Sequence, residues 1–261
     1  MIPEYELISI NREVAFKGEI GRQRKKFYEQ YSRFKKAEID LLVSQMKRDI
    51  ETRGEKVSCS PGCTHCCLVY VFTTLQEADT ITGYLYEYPH AFDRFLTAYP
   101  GWEDAIAPIL FNIDRLESIQ EKVLFGRETM EERQLFYSDL TSFADLSNPC
   151  PFLHDNACII YPVRPYSCAC VLSSSPQEWC NRKNPDRQKP SIYKNHPDRA
   201  SEMPYMGLTT GIIFGCLPHM VYRIMVYGYA FLSSFPGLEA LKNRAATDPE
   251  ICTVLQNMKV L

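Results

Sequence analysis

Cys59-Ser60-Pro61-Gly62-Cys63-Thr64-His65-Cys66-Cys67 is followed by Leu68-Val69-Tyr70-Val71-Phe72 and, after Thr73, by Thr74-Leu75-Gln76-Glu77. Four thiols in nine residues form a pattern that packing alone does not require, because a core cysteine behaves as a small hydrophobe. Thiols two or three residues apart in a turn can converge on one metal or cluster. Pro61-Gly62 supplies a tight turn between the first two. Backbone N–H groups exposed in such a turn can donate to sulfur and offset its negative charge. In an extended chain Cys66 and Cys67 point apart. The adjacent pair is therefore expected to serve different metal positions, or to bridge toward ligands elsewhere.

The run Leu68 to Phe72 is β-branched and aromatic and has the length of a strand. Thr74 and Glu77 have capping-box spacing, so a helix should start there with Leu75, Ala78, Ile81 and Leu85 inward. Upstream, residues 20–51 read as one long amphipathic helix. Phe27, Tyr31, Phe34, Leu41 and Ile50 fall near one face, with Ala37 between them. Arg22, Arg24, Lys25 and Lys26 read as a solvated helix face, since acidic residues follow soon after. The polar stretch Glu51 to Lys56, with Gly54, should end that helix. Downstream, residues 90–147 read as two or three scaffold helices. Trp102, Ile106, Ile109, Leu110 and Ile113 mark one; Met130, Leu135, Phe136, Leu140 and Phe143 mark another. Residues 181–200 are polar and turn-rich and read as a loop.

A second cysteine group comprises Cys150, Cys158, Cys168, Cys170 and Cys180, in a proline-rich block. Two short apolar runs around His154-Asp155-Asn156-Ala157 predict a hairpin there. Nine of the eleven cysteines thus lie between Cys59 and Cys180, while Cys216 and Cys252 sit alone in apolar segments and read as core. An odd total fits poorly with a pure disulfide framework. The first residues show no basic stretch followed by an apolar one, so the expected compartment is the reducing cytoplasm. A net charge of -3 gives no sign of a nucleic-acid binder. Met203 to Tyr222 lacks acidic and basic residues, but Pro204, Pro218 and His219 interrupt it. Buried helices of a core are the better reading than a membrane span. With 261 residues, 45% of them apolar, the chain can build one substantial core. The expected architecture is one metal-binding domain over 1–261, mainly α with a small β element. Its cysteine-cluster core, 56–180, lies between the N-terminal helix and a C-terminal helical part, 201–261.

Taken with Cys150-Pro-Phe-Leu153, Cys158-Ile-Ile-Tyr161 and Arg164-Pro165-Tyr-Ser-Cys168, the first group resembles the YkgJ family, a zinc- or iron-chelating CxxCxxCC domain. The resemblance covers roughly residues 56–180 and several motifs in order. More distantly the chain is similar to flagellin lysine N-methylases, for which an iron–sulfur cluster is suspected. The resemblance implies metal binding by Cys59, Cys63, Cys66 and Cys67, with Cys150, Cys158 and Cys168 as a second set and Cys180 where relatives often carry one more cysteine. The chain departs from the family at Ala169, where an arginine usually follows, and in the extra thiol Cys170. The last ligand stays open between Cys170 and Cys180.

The leading expectation is an iron–sulfur protein, with a [4Fe–4S] cluster completed by four thiolates and the surplus available for a second centre. Its partners would be the metal or cluster and a protein partner or substrate. Structural zinc is the alternative, since thiolates suit both metals. A lysine N-methylase-like enzyme using S-adenosylmethionine is a third reading, carried by the distant similarity alone. The spacing Cys59-x3-Cys63-x2-Cys66 also matches the radical S-adenosylmethionine motif. No repeated βα units follow it, and the second cysteine group would be left unexplained. Arg164 reads equally as an ordinary ion pair and as a partner of an anionic centre. His65 and His154 read as loop residues rather than ligands. No nucleophile elbow or phosphate-binding loop is present.

Overall fold

The computed structural model describes residues 3–60, 62–124, 126–195 and 214–232. The protein is mainly helical. In chain order the elements are α1 (Glu4–Val14), α2 (Gly18–Thr52), β1 (Phe72–Thr74), α3 (Leu75–Glu87), α4 (Pro89–Ile106), α5 (Leu110–Leu124) and α6 (Met130–Leu146). Then come β2 (Leu153–His154), β3 (Ala157–Cys158), α7 (Tyr166–Ala169), β4 (Val171–Ser173), α8 (Gln177–Cys180), β5 (Ile192–Lys194), β6 (Phe214–Cys216) and α9 (Leu217–Leu232). Among the described residues the strands form three antiparallel pairs: β1 with β6, β2 with β3, and β4 with β5.

The core is built around α3 and α9. The capping box forms as the spacing predicts: Thr74 Oγ1 accepts from the Glu77 amide at 3.2 Å, and Glu77 Oε2 accepts from the Thr74 amide at 3.0 Å. Leu75, Ala78, Ile81 and Leu85 are all buried. Apolar periodicity does not foresee how much else of α3 is covered. Gln76, Glu77, Asp79, Thr80 and Thr82 are buried too. Buried polar groups need partners. Thr82 Oγ1 donates to the Ala78 carbonyl at 2.9 Å, and Arg24 from α2 clamps Asp79 through both its Nε and terminal nitrogen. Arg24 therefore belongs to a buried ion pair, not to a solvated basic face.

The long N-terminal helix exists, but its buried stripe is not the predicted one. Phe27, Tyr31 and Ile50 are buried, whereas Leu41 is 55% exposed and Ala37 is also open to solvent. The stripe runs instead through Tyr28, Lys35, Leu42 and Met46. Adjacent residues on a helix differ by about 100° in direction, so burying Leu42 turns Leu41 outward. Lys35 can join the stripe because its Nζ donates to the Val163 carbonyl at 2.9 Å.

The helix α1 was not anticipated. It packs on α9, where Asn11 Nδ2 donates to the carbonyls of Met225 and Val226 at 2.9 and 2.7 Å. Asn11 also explains Gly228: a Cβ there would lie 2.3 Å from Asn11 Oδ1, and the residue has φ +49°. Any other side chain would break the contact that satisfies the bent end of α9.

Residues 90–147 do form three helices, with the α4–α5 break at Pro108. Asp139 on α6 is fully buried and accepts from Asn112 and Arg115 of α5, both at 2.7 Å, locking the two helices together. The predicted strand shifts: residues 65–68 form a 3-10 turn, and pairing begins only at Phe72, opposite Cys216. Tyr70 and Val71 are still buried, so their apolar character serves the core rather than a ladder. The predicted loop after residue 180 contains β5, which pairs with β4. The predicted C-terminal helical part is described over α9; residues 201–213 and 233–261, with Cys252, lie outside the described residues. Among the described residues no helix is long and apolar enough to cross a membrane.

His219 on α9 sits against Trp102 at 5.1 Å between ring centroids and faces Tyr99 at 6.2 Å. Burial, helped by Arg223 and opposed by Asp114, lowers its pKa from 6.5 to about 4. A neutral histidine in the fold and a protonatable one in the unfolded chain mean that stability is full above pH 6.5 and falls as the pH drops toward 4. The expected loss from this group is about 3 kcal/mol. His219→Phe should flatten that part of the urea-denaturation stability profile; an unchanged slope between pH 6.5 and 4 would refute the assignment.

Candidate metal centre

The first cysteine loop is held by the second. After α2 ends, the Ser58 amide donates to the Ser173 carbonyl at 2.8 Å, and Gln177 Nε2 donates to the Ser58 carbonyl at 2.6 Å. Tyr193 Oη donates to Glu55 at 3.0 Å, and Ser174 Oγ also bonds that carboxylate. The segment leading into Cys59 is thereby fixed along β4 and α8. The chain then turns at Gly62, whose φ of +85° favours glycine, and the Cys63 amide donates to the Ser60 carbonyl at 3.1 Å. Pro61 lies outside the described residues.

Cys66 and Cys67 are not extended. They occupy the 3-10 turn His65–Leu68, and a hydrogen bond joins their thiols. The expectation that the pair points apart is corrected by that turn. The Cys67 carbonyl accepts from the Cys150 amide at 2.8 Å, which ties the turn to the second group. From there the predicted hairpin forms: Leu153 pairs with Cys158, and Asp155 and Asn156 adopt the left-handed conformation of a tight two-residue turn. Phe152 stacks on Phe95 of α4 at 4.4 Å and anchors the hairpin to the scaffold. Further on, the Tyr166 amide donates to Glu77 Oε1 at 2.8 Å and fixes the start of α7, which carries Cys168.

These supports bring the two sequence groups together. The Cys59 thiol is within electrostatic reach of Cys63, Cys66 and Cys180, and Cys63 of Cys66 and Cys180. The Cys67 thiol interacts with Cys66 and is within electrostatic reach of Cys150 and Cys158, as Cys168 is of Cys150, Cys158 and Cys66. Cys66 therefore borders both sets. Cys180 reaches the first set through α8, which packs on the 65–68 turn. Cys170 goes elsewhere: it is buried among Leu42, Met46, Ile50, Tyr166 and Leu172. Cys216 is also in the core, with its amide donating to Glu117 at 2.8 Å. A cavity of about 10 Å³, room for roughly one water, lies between Cys216, Cys67 and Cys150.

The electrostatics are those of crowded sulfur. Burial first, and then the neighbouring thiols, raise the pKa of Cys59, Cys63, Cys150 and Cys168, with Cys150 pushed up to about 12. Backbone donors oppose this. The Ser173 amide donates to Cys59 Sγ at 3.2 Å. The amides of His65, Phe152 and Ile160 face the sulfurs of Cys63, Cys150 and Cys158 in a looser version of that contact. In each case the amide lies two residues beyond its cysteine. In the adjacent pair one thiol holds the proton for both: Cys66 is drawn down by the Cys67 hydrogen bond, and Cys67 is driven up by it. A cation bound among such groups would reverse the penalty, since coordination deprotonates a thiol outright.

Among the described residues, no group of three or more His, Cys, Asp or Glu side chains stands at the mutual distances a bound ion requires. The thiols are gathered rather than closed. Their chemistry fits a soft metal or cluster: sulfur donors, backbone N–H groups aimed at sulfur, and the positive charge of Arg164 acting on Cys66, Cys158 and Cys168. His154 lies at the hairpin tip 3.1 Å from Asp155, away from that role. Two supports escaped the sequence reading. Glu77 was visible as a capping residue, but nothing in the pattern shows that its second oxygen reaches Tyr166. Lys35 carried no signal at all. An open groove of about 530 Å³, lined by Arg12, Phe16, Lys25, Tyr86, Glu87 and Phe92, contains none of the thiols. No family model, curated protein or solved structure matches the chain.

Proposed function

We propose that this protein binds metal through two adjoining thiol sets, Cys59, Cys63, Cys66 and Cys180 in one, and Cys67, Cys150, Cys158 and Cys168 in the other. The observation that carries this reading is the Cys66–Cys67 turn, whose thiols border both sets. Packing would not gather eight thiols, several of them reaching the surface, and aim amides at their sulfurs. The preferred occupants are iron–sulfur clusters. Hydrogen bonds to sulfur and a nearby cation are among the levers that set the potential of such clusters. When bound, a cluster would supply one-electron chemistry or a rigid fold-closing link. In either case the chain's own contribution is to hold the thiolates and shield their charge.

Structural zinc is the second reading, and the division into two four-thiol sets favours it, because a closed structural zinc site uses four ligands. Protein purified without oxygen and assayed for iron, zinc and acid-labile sulfide separates the two. Iron with matching sulfide and a broad visible absorption supports the clusters. Stoichiometric zinc in a colourless protein replaces them with the second reading. Cys63→Ser and Cys158→Ser should each lower the metal content, one from either set.

A further inference from the structure

A line of oxidisable rings runs from the thiols to the surface. Trp102 of α4 borders the same void of about 10 Å³ as Cys67 and Cys150, and it is 4% exposed. Its carbonyl accepts from Asn148 Nδ2 at 3.1 Å, which ties α4 to the segment entering Cys150. One turn back on α4, Tyr99 lies 5.8 Å from Trp102 between ring centroids and is 2% exposed. Tyr99 in turn stacks on Tyr222 of α9 at 4.0 Å, with the ring planes 11° apart. Tyr222 is only half-buried and reaches the surface.

Packing accounts for rings in contact. It does not require an indole and two phenols at the three positions, and these are the rings that give up one electron most readily. Each phenol also has a proton acceptor in place. Tyr99 Oη donates to Glu103 Oε1 at 2.9 Å, and Tyr222 Oη donates to Glu4 Oε2 at 2.6 Å. An oxidised phenol is a strong acid, so its electron and its proton leave together. A carboxylate within hydrogen-bond reach takes that proton without a diffusing base.

We propose that Trp102, Tyr99 and Tyr222 form a one-electron path that drains oxidising equivalents from the thiol centre to the surface beside Glu4. The proposal rests on the metal-binding reading for where the charge originates; the path itself belongs to the chain. The oxidant is a peroxide-derived radical formed at the centre. It takes one electron from Trp102; Tyr99 refills Trp102, and Tyr222 refills Tyr99. In sum the oxidant gains one electron, Tyr222 loses one, and the phenolic proton of Tyr222 passes to the Glu4 carboxylate.

Pulse radiolysis of the full chain tests the path without metal. Trp179→Phe serves as the parent in every arm, which leaves Trp102 as the one tryptophan. The azide radical oxidises that indole, and the decay of its visible absorption is followed as the tyrosyl band rises. The decay should be independent of protein concentration and at least about tenfold slower in Tyr99→Phe, which keeps the ring stack and removes the phenol. In Tyr222→Phe the radical should stop at buried Tyr99, where ascorbate should quench it at least about tenfold more slowly. An unchanged decay in Tyr99→Phe, or unchanged quenching in Tyr222→Phe, overturns the path. The link to the centre is read separately, on wild type and Tyr222→Phe purified without oxygen and then given hydrogen peroxide. The variant should release its metal at least about twofold faster; equal release overturns the link. Wild type that holds no metal removes the binding reading, while the radiolysis result still decides the path.

Discussion

Cys66→Ser is expected to lose more than half of the bound metal, a larger loss than any other single cysteine replacement should cause. Cys66 acts on Cys59 and Cys63 of one set and on Cys67, Cys150, Cys158 and Cys168 of the other. Serine puts a hard oxygen in place of a soft sulfur donor. It also takes away the partner that shares a proton with Cys67. Cys180→Ser, by contrast, touches only the first set and should lose at most about half. The check is the metal-to-protein ratio of the two variants prepared side by side. Equal losses would show that Cys66 belongs to one set alone.

Glu77→Ala should produce the largest loss of stability of any single change discussed, about 4 kcal/mol. The side chain is 3% exposed and accepts from the Thr74 amide at 3.0 Å and the Tyr166 amide at 2.8 Å. Alanine strands two backbone donors in the interior and removes half of the capping box that starts α3. Each stranded donor costs about 1–3 kcal/mol. Glu77→Gln keeps one carbonyl acceptor and should cost less than half as much. Urea denaturation of the three proteins gives the comparison. Because the Tyr166 contact also fixes the start of α7, the alanine variant should retain metal less well below its unfolding transition. A loss under 1 kcal/mol would mean that water replaces the carboxylate freely.

What the sequence makes visible, and what it hides, follows from the range of the interactions. The capping box at Thr74, the hairpin around Asp155-Asn156 and the end of α2 are local, and the residues that form them are close in the chain. All three are legible. The stripe of α2 is less so, because Lys35 is buried by a carbonyl 128 residues away and Leu41 is turned out by its neighbour. The same applies to α1, whose partner Asn11 finds two carbonyls more than 200 residues downstream. The cysteine groups were legible as groups from spacing. Their meeting point was not: the 3-10 turn that puts the thiols of Cys66 and Cys67 in contact replaces the extended geometry that β-branched neighbours suggest. The choice between Cys170 and Cys180 could not be made from spacing either. It depends on α8 carrying Cys180 to the turn while Cys170 packs beneath α2.

The claim that two distant stretches of chain build one thiol assembly is tested most directly by the metal content of Cys158→Ser beside wild type, both purified without oxygen. Cys158 lies 91 residues beyond Cys67, yet its thiol faces the same border. The expected result is a fall to about half the wild-type metal, with the set of Cys59, Cys63, Cys66 and Cys180 still loaded. Full wild-type metal in Cys158→Ser would contradict the account, because the hairpin would then hold a thiol that no centre uses.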